Sequence, residues 1–182
     1  MSFSGTYQGI QALRSLLIGI GLLTTLAGCV EPPPPVDCPA VRVLQDPGTL
    51  TRFQPGDGRD ITDILFQAEF TGVAGDCLVD ETDVAVDFSV QITAQRGPAD
   101  TEKRASMSIF MAVQDPDLKI LSRESFDVEI PFDGNQTRVV YSDEFEGRIP
   151  LPSGAFAGDY TVYLGFVLTR EELQFNREQA AR

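Results

Sequence analysis

Reactive side chains are few in this chain, and their types restrict its chemistry. Its 182 residues include three cysteines, at positions 29, 38 and 77, and no histidine. Histidine is the commonest acid–base group and the commonest transition-metal ligand. Its absence removes Ser-His-Asp and Cys-His catalysis and His-ligated zinc. Carboxylates remain. Asp57, Asp60 and Asp63 fall three apart in the Gly-rich stretch 55–63. Calcium takes several oxygens, often from one tight loop, so these are the metal candidates of the sequence. The stretch lacks the alternating offsets and closing glutamate of an EF-hand, and the plainer reading is solvated turn residues and a helix cap. Asp76, Asp80, Glu81 and Asp83 form a second acidic group beside Cys77 and read as a solvated loop between two strands. Arg52 and Arg59 flank the first group and read as salt-bridge partners in preference to anion ligands. With 27 acidic residues, carboxylate pairs are too numerous to mark a glycosidase without a defined cleft. Asn135-Gln136-Thr137 matches a glycosylation sequon but reads as a turn. No catalytic set emerges, so the expectation is a non-enzymatic protein with no cofactor and no metal.

The formal net charge is −13. Such a surface repels phosphate backbones, which argues against nucleic-acid binding. It also repels anionic headgroups, so attachment to a membrane would have to come from lipid instead of basic patches. The hydrophobic fraction of 42% is ordinary for a globular protein and argues against wholesale disorder.

The first residues stand apart from the rest. Arg14 is the only charged residue before position 29. Residues 15–26, SLLIGIGLLTTL, form an apolar run too short to span a bilayer as a helix, which needs about 20 residues. Its length suits the apolar region of an export signal. Leu26-Ala27-Gly28-Cys29 follows. An aliphatic residue, two small residues and a cysteine at the end of such a run resemble the lipobox of bacterial lipoproteins. The resemblance implies cleavage before Cys29 and fatty acyl chains on its thiol. An ordinary secretory leader with an incidental cysteine is the alternative. With Cys29 lipidated, Cys38 and Cys77 remain as an even pair in an oxidising compartment, and the expectation is a Cys38–Cys77 disulfide. After Cys29 come four consecutive prolines, Pro32 to Pro35. They favour an extended spacer reaching about 25–30 Å. Position 30 is valine. In enteric lipoproteins an aspartate there favours the inner membrane, so the resemblance implies an outer-membrane anchor in the cell envelope, facing the periplasm.

The elements beyond the spacer read as strands. Short candidates are Ala40 to Gln45 and Thr49 to Phe53. Ile64, Phe66, Ala68 and Phe70 then alternate with Leu65, Gln67 and Glu69. Val84, Val86, Phe88, Val90 and Ile92 follow with a period of two, a spacing that a helix would scatter around its circumference. Arg96-Gly97-Pro98-Ala99-Asp100 signals a turn. Met107 to Val113 and Phe126 to Phe132 alternate again, and Asp133-Gly134-Asn135 suggests a hairpin whose return strand is Thr137 to Tyr141, extendable through Phe145 and Ile149. Tyr160 to Leu168 is the last strand. Thr169-Arg170-Glu171-Glu172 is a capping box opening a short helix through about Arg177, with Leu173 and Phe175 available to pack. Roughly seven or eight strands with one solvated face each fit an all-β antiparallel sandwich, with a small barrel as the competing architecture. The chain divides into a signal peptide 1–28, a lipidated Pro-rich linker 29–37, a sandwich 38–169 and a helix with a frayed tail 170–182.

The approach to the last strand, residues 153–162 (SGAFAGDYTV), resembles immunoglobulin-like and fibronectin-like modules, although those folds have a further strand afterwards. Thr51-Arg52-Phe53, Gly58-Arg59-Asp60 and the tail Gly165-Phe166-Val167-Leu168-Thr169 resemble uncharacterised proteobacterial envelope lipoproteins, which implies an address and no activity. The expected partners are the membrane, through the lipid on Cys29, and another envelope protein or a cell-wall polymer. A small-ligand or calcium-binding module using the Pro55–Asp63 loop is the rival. Mass spectrometry of the protein from membranes is expected to find Cys29 as the acylated N-terminus. An unmodified thiol with residues 1–28 still attached would overturn the anchor.

Overall fold

The computed structural model describes residues 37–181. The leader, Cys29 and the Pro-rich linker up to residue 36 lie outside the described residues.

Eight strands and one α-helix follow in the order β1 (Ala40–Val43), β2 (Thr49–Phe53), β3 (Ile64–Val79), β4 (Asp83–Arg96), β5 (Arg104–Gln114), β6 (Ile120–Pro131), β7 (Arg138–Pro150), β8 (Thr161–Phe166) and α1 (Arg170–Ala180). They make two four-stranded sheets, ordered β1-β8-β5-β6 and β2-β3-β4-β7. Every pairing is antiparallel except β1 with β8, which is parallel. The inner faces pack on each other as a sandwich, so the all-β expectation holds.

The core has two halves. At the lower end Leu50, Phe66, Ile92 and Ala94 of one sheet meet Met107, Ile109, Val128, Ile130 and Phe166 of the other. At the upper end Cys77, Val84, Val86, Phe88 and Ile149 meet Val113, Val162 and Leu164, with Tyr160 beside them. The period-two residues read from the sequence fill these positions because burying one pleated face rewards apolar side chains at alternate positions.

Several strands run further than their apolar alternation. β3 continues to Val79, so Asp76 and Cys77 lie in a strand and Asp83 opens the next, and only residues 80–82 form the turn between them. The loop expected there is a hairpin tip, because backbone pairing with β4 holds polar residues in the ladder. The connection at residues 132–137 is a second correction. β6 and β7 lie in different sheets and do not pair, so Asp133-Gly134-Asn135 is a crossing between sheets and not a hairpin. Gly134 takes φ 57°, which gives local turn geometry without setting which strand the chain joins next.

The crossing from β4 to β5 depends on Gly97. Its N–H donates to the Leu65 carbonyl at 2.8 Å, and a Cβ there would stand 2.1 Å from the Ile64 carbonyl oxygen. Asp100 organises the same turn from a buried position, accepting from Arg96 Nε at 2.7 Å and from the Glu102 and Lys103 N–H groups.

A disulfide joins Cys38, just before β1, to Cys77 near the end of β3, with Cα atoms 5.7 Å apart. It ties the two sheets together at the upper end, where the chain arrives from its N-terminal segment. The bond closes a separation of 39 residues, a loop worth about 3–4 kcal/mol in a chain-entropy treatment. The double variant Cys38→Ser/Cys77→Ser is expected to lose about 3 kcal/mol in urea unfolding while keeping its β-sheet circular dichroism. An unchanged denaturation midpoint would overturn this.

Candidate functional site

Strand β6 builds the site through what its inner face lacks. Residues paired across β5 and β6 share a face. The lower pairs are Met107 with Val128 and Ile109 with Phe126, all apolar. The upper pairs are Met111 with Glu124 and Val113 with Ser122. Polar side chains therefore occupy the inward positions of upper β6, and residues 120–125 are all exposed. None of the residues of the upper core comes from β6.

The result is a cleft of about 630 Å³ between the edge strands β6 and β7. Val113, Leu121, Ile149, Leu151 and Tyr160 form its apolar lining, with Pro150 and Pro152 to one side and Asp115 and Arg148 at the rim. Lower down, the gap closes where the Phe126 and Phe145 rings meet at 5.2 Å. Val113, Ile149, Leu151 and Tyr160 are buried and form its floor, while Leu121 is exposed at its edge. A concave site with apolar walls and a few polar groups is the usual form of a binding site.

The hairpin tip between β5 and β6 extends the apolar surface. Leu118 is 76% exposed, with Ile120 and Leu121 nearly half exposed beside it. Leu118 holds φ at 65°, a left-handed conformation that favours glycine or asparagine. The tip is tied by the Leu118 N–H donating to the Asp115 carbonyl at 3.0 Å and by the Lys119 N–H donating to Asp115 Oδ1 at 2.8 Å.

Charge at this end is mixed with an acidic excess, Lys119 and Arg123 standing among the carboxylates. Asp115, Asp117 and Glu124 stand on the β5–β6 side, and Asp80 and Glu81 on the neighbouring β3–β4 tip. Among the described residues none of these five carboxylates is in an ion pair, whereas Arg148 is paired with Asp83 at 3.0 Å.

The residues singled out by the sequence lie elsewhere. The loop carrying Asp57, Asp60 and Asp63 is at the lower end, against α1. The Asp63 carboxylate accepts from Gln54 Nε2 at 2.7 Å and from the Asp60 N–H at 3.0 Å. Among the described residues no three His, Cys, Asp or Glu side chains are grouped to hold a metal ion. Arg52 and Arg59 do form salt bridges, but with the helix instead of the loop: Arg52 Nε lies 2.8 Å from Glu172 Oε1, and Arg59 Nη2 3.3 Å from Glu171 Oε2. The buried Arg52 Nε lies off hydrogen-bond geometry, so that pair holds by charge alone. The capping box forms as read, with the Glu172 N–H donating to Thr169 Oγ1 and the Thr169 N–H to Glu172 Oε2. Phe175 packs edge-on against Phe53 at 5.1 Å.

Tyr141 on β7 has a raised pKa. Burial, then its hydrogen bond to Asp143 and the charge of that carboxylate, raise it above the ordinary tyrosine value. A raised folded-state value favours the neutral phenol, so its contribution to stability is lost only as pH climbs past the ordinary tyrosine range.

No family model, no curated protein and no solved structure matches this chain. The cleft therefore carries its argument on geometry alone. Sequence reasoning missed it, although Ser122 and Glu124 at apolar-phase positions of β6 were a readable signal once the phase was carried back from Phe126. Replacement Leu118→Gly is expected to hold or raise thermal stability, by up to about 1 kcal/mol, because glycine adopts that φ freely. A melting temperature several degrees lower would show that Leu118 is a packing residue.

Proposed function

We propose that this protein is a lipid-anchored β-sandwich of the cell envelope that acts as a non-enzymatic binding or assembly module. The Leu26-Ala27-Gly28-Cys29 motif supports an anchor through lipid on Cys29, in the outer membrane and facing the periplasm. The Cys38–Cys77 bond suits an oxidising compartment. Its contact is another envelope protein or a cell-wall polymer. The single observation that carries the binding role is the cleft between β6 and β7, with the exposed Leu118, Ile120 and Leu121 beside it. An immunoglobulin-like reading of the sandwich draws support from its two four-stranded sheets and the parallel pairing of first strand with last. The neighbour of β8 departs from that pattern, being β5 where an immunoglobulin-like module has the penultimate strand.

Affinity purification of the lipidated chain from solubilised envelopes is expected to recover a stoichiometric partner, and Leu121→Glu, which places a charge in the cleft, to reduce recovery at least tenfold. Recovery of nothing specific, or equal recovery with Leu121→Glu, would overturn the cleft as the binding surface.

A further inference from the structure

The chemistry of the cleft restricts what can fill it. Among the described residues β6 is the edge of its sheet and pairs only with β5. Its upper half, residues 120–125, is exposed and carries no proline, so its outer edge can accept another strand. A strand laid beside it would stand over the gap toward β7. Its inward side chains would cover the mouth of the cleft beside the exposed Leu121, where β6 itself offers only Ser122 and Glu124. Among the described residues Asp80, Glu81, Asp115, Asp117 and Glu124 at this end are in no salt bridge, and they outnumber the nearby Lys119 and Arg123.

Resting on the binding-module reading above, we infer that the upper edge of β6 receives an extended peptide segment of another protein, with apolar residues at alternate positions and lysine or arginine flanking them. Competing occupants fit less well. A second copy would bring its own acidic rim and a net charge of −13 against the same surface. Anionic headgroups meet the same repulsion. The linker prolines Pro32 to Pro35 have no N–H to donate to a sheet edge. Leu118 fits the same picture: a large apolar side chain held at an unfavourable φ in a solvent-facing tip suits a contact made with a partner.

The test places a photo-crosslinking phenylalanine analogue at position 121 of the full chain in its own cells, with position 61 at the opposite end as control. Ile61 is 74% exposed, so both sites reach solvent. A parallel chain carries the analogue at position 118, so the experiment survives if one insertion disturbs folding. The expected result is a protein adduct at 121 or 118, at least tenfold above that at 61. Its crosslinked peptide should alternate apolar residues and carry Lys or Arg within a few positions. The yield in isolated envelopes should fall severalfold in 1 M salt, where the Debye length is about 3 Å. An adduct to lipid, to cell-wall polymer or to a second copy overturns the inference, as does an equal yield at 61 or no adduct at all. The N-terminal mass decides separately whether Cys29 anchors the chain, so failure of the anchor and failure of the peptide site are read from different measurements.

Discussion

An edge strand that turns polar side chains inward cannot complete an apolar core, and the upper half of β6 does this beside Val113, Ile149 and Tyr160, leaving a cleft next to residues that are themselves buried. The cause is local. β6 contributes Phe126, Val128 and Ile130 to the lower core and then turns Ser122 and Glu124 inward where the upper core needs cover. β7 cannot close the gap alone, because it is the edge of the other sheet. The remaining inner residues at this end, Val113, Ile149 and Tyr160, are therefore walls of a cleft as well as members of a core. The cleft follows from that half-strand of polar residues standing at the edge of its sheet.

The opposite side of the sandwich is covered by the C-terminal helix. There α1 lies along β2, and Asn176 Nδ2 donates to the Asp46 and Thr49 carbonyls at 2.8 Å each. Arg177 pairs with Asp46 at 2.7 Å. The pairs of Arg52 with Glu172 and Arg59 with Glu171 pin the helix start to the Gly-rich loop. Exposed ion pairs contribute little each, so the buried Asn176 and the Phe53–Phe175 contact contribute more to seating the helix. On the outer face of the β5 sheet Phe110 lies under the Arg123 guanidinium at 4.6 Å and against Gly165, where any Cβ would approach its ring to 2.8 Å. The Phe110 and Arg123 side chains line a second cavity of about 560 Å³ beside Pro47 and Leu173.

Particular elements show where pattern reading succeeds. β2 was legible to the residue, and β4 nearly so, because an unbroken period of two admits one register. The capping box at Thr169 was legible because its chemistry is local, a hydroxyl and a carboxylate three residues apart. β3 and β6 were read short. Their outer halves carry polar or small residues, held in the ladder by backbone hydrogen bonds that side-chain pattern does not report. The return strand after Asp133-Gly134-Asn135 was assigned to the wrong partner, since a turn signal fixes a reversal and says nothing about which sheet receives the chain.

By itself the sequence determined the strand-forming segments, the acidic surface, the absence of histidine chemistry and the pairing of Cys38 with Cys77. Each depends on residue type, short-range periodicity or cysteine arithmetic. Tertiary structure alone decided that β8 sits between β1 and β5, that the salt bridges of Arg52 and Arg59 go to the helix while Arg59 also donates to the Gly56 and Gly58 carbonyls, and that β6 and β7 stand apart as the rims of one cleft. These are relations between segments tens of residues apart, set by how two sheets share one core. No local pattern encodes which polar residue will face a gap until the opposing strand is in place.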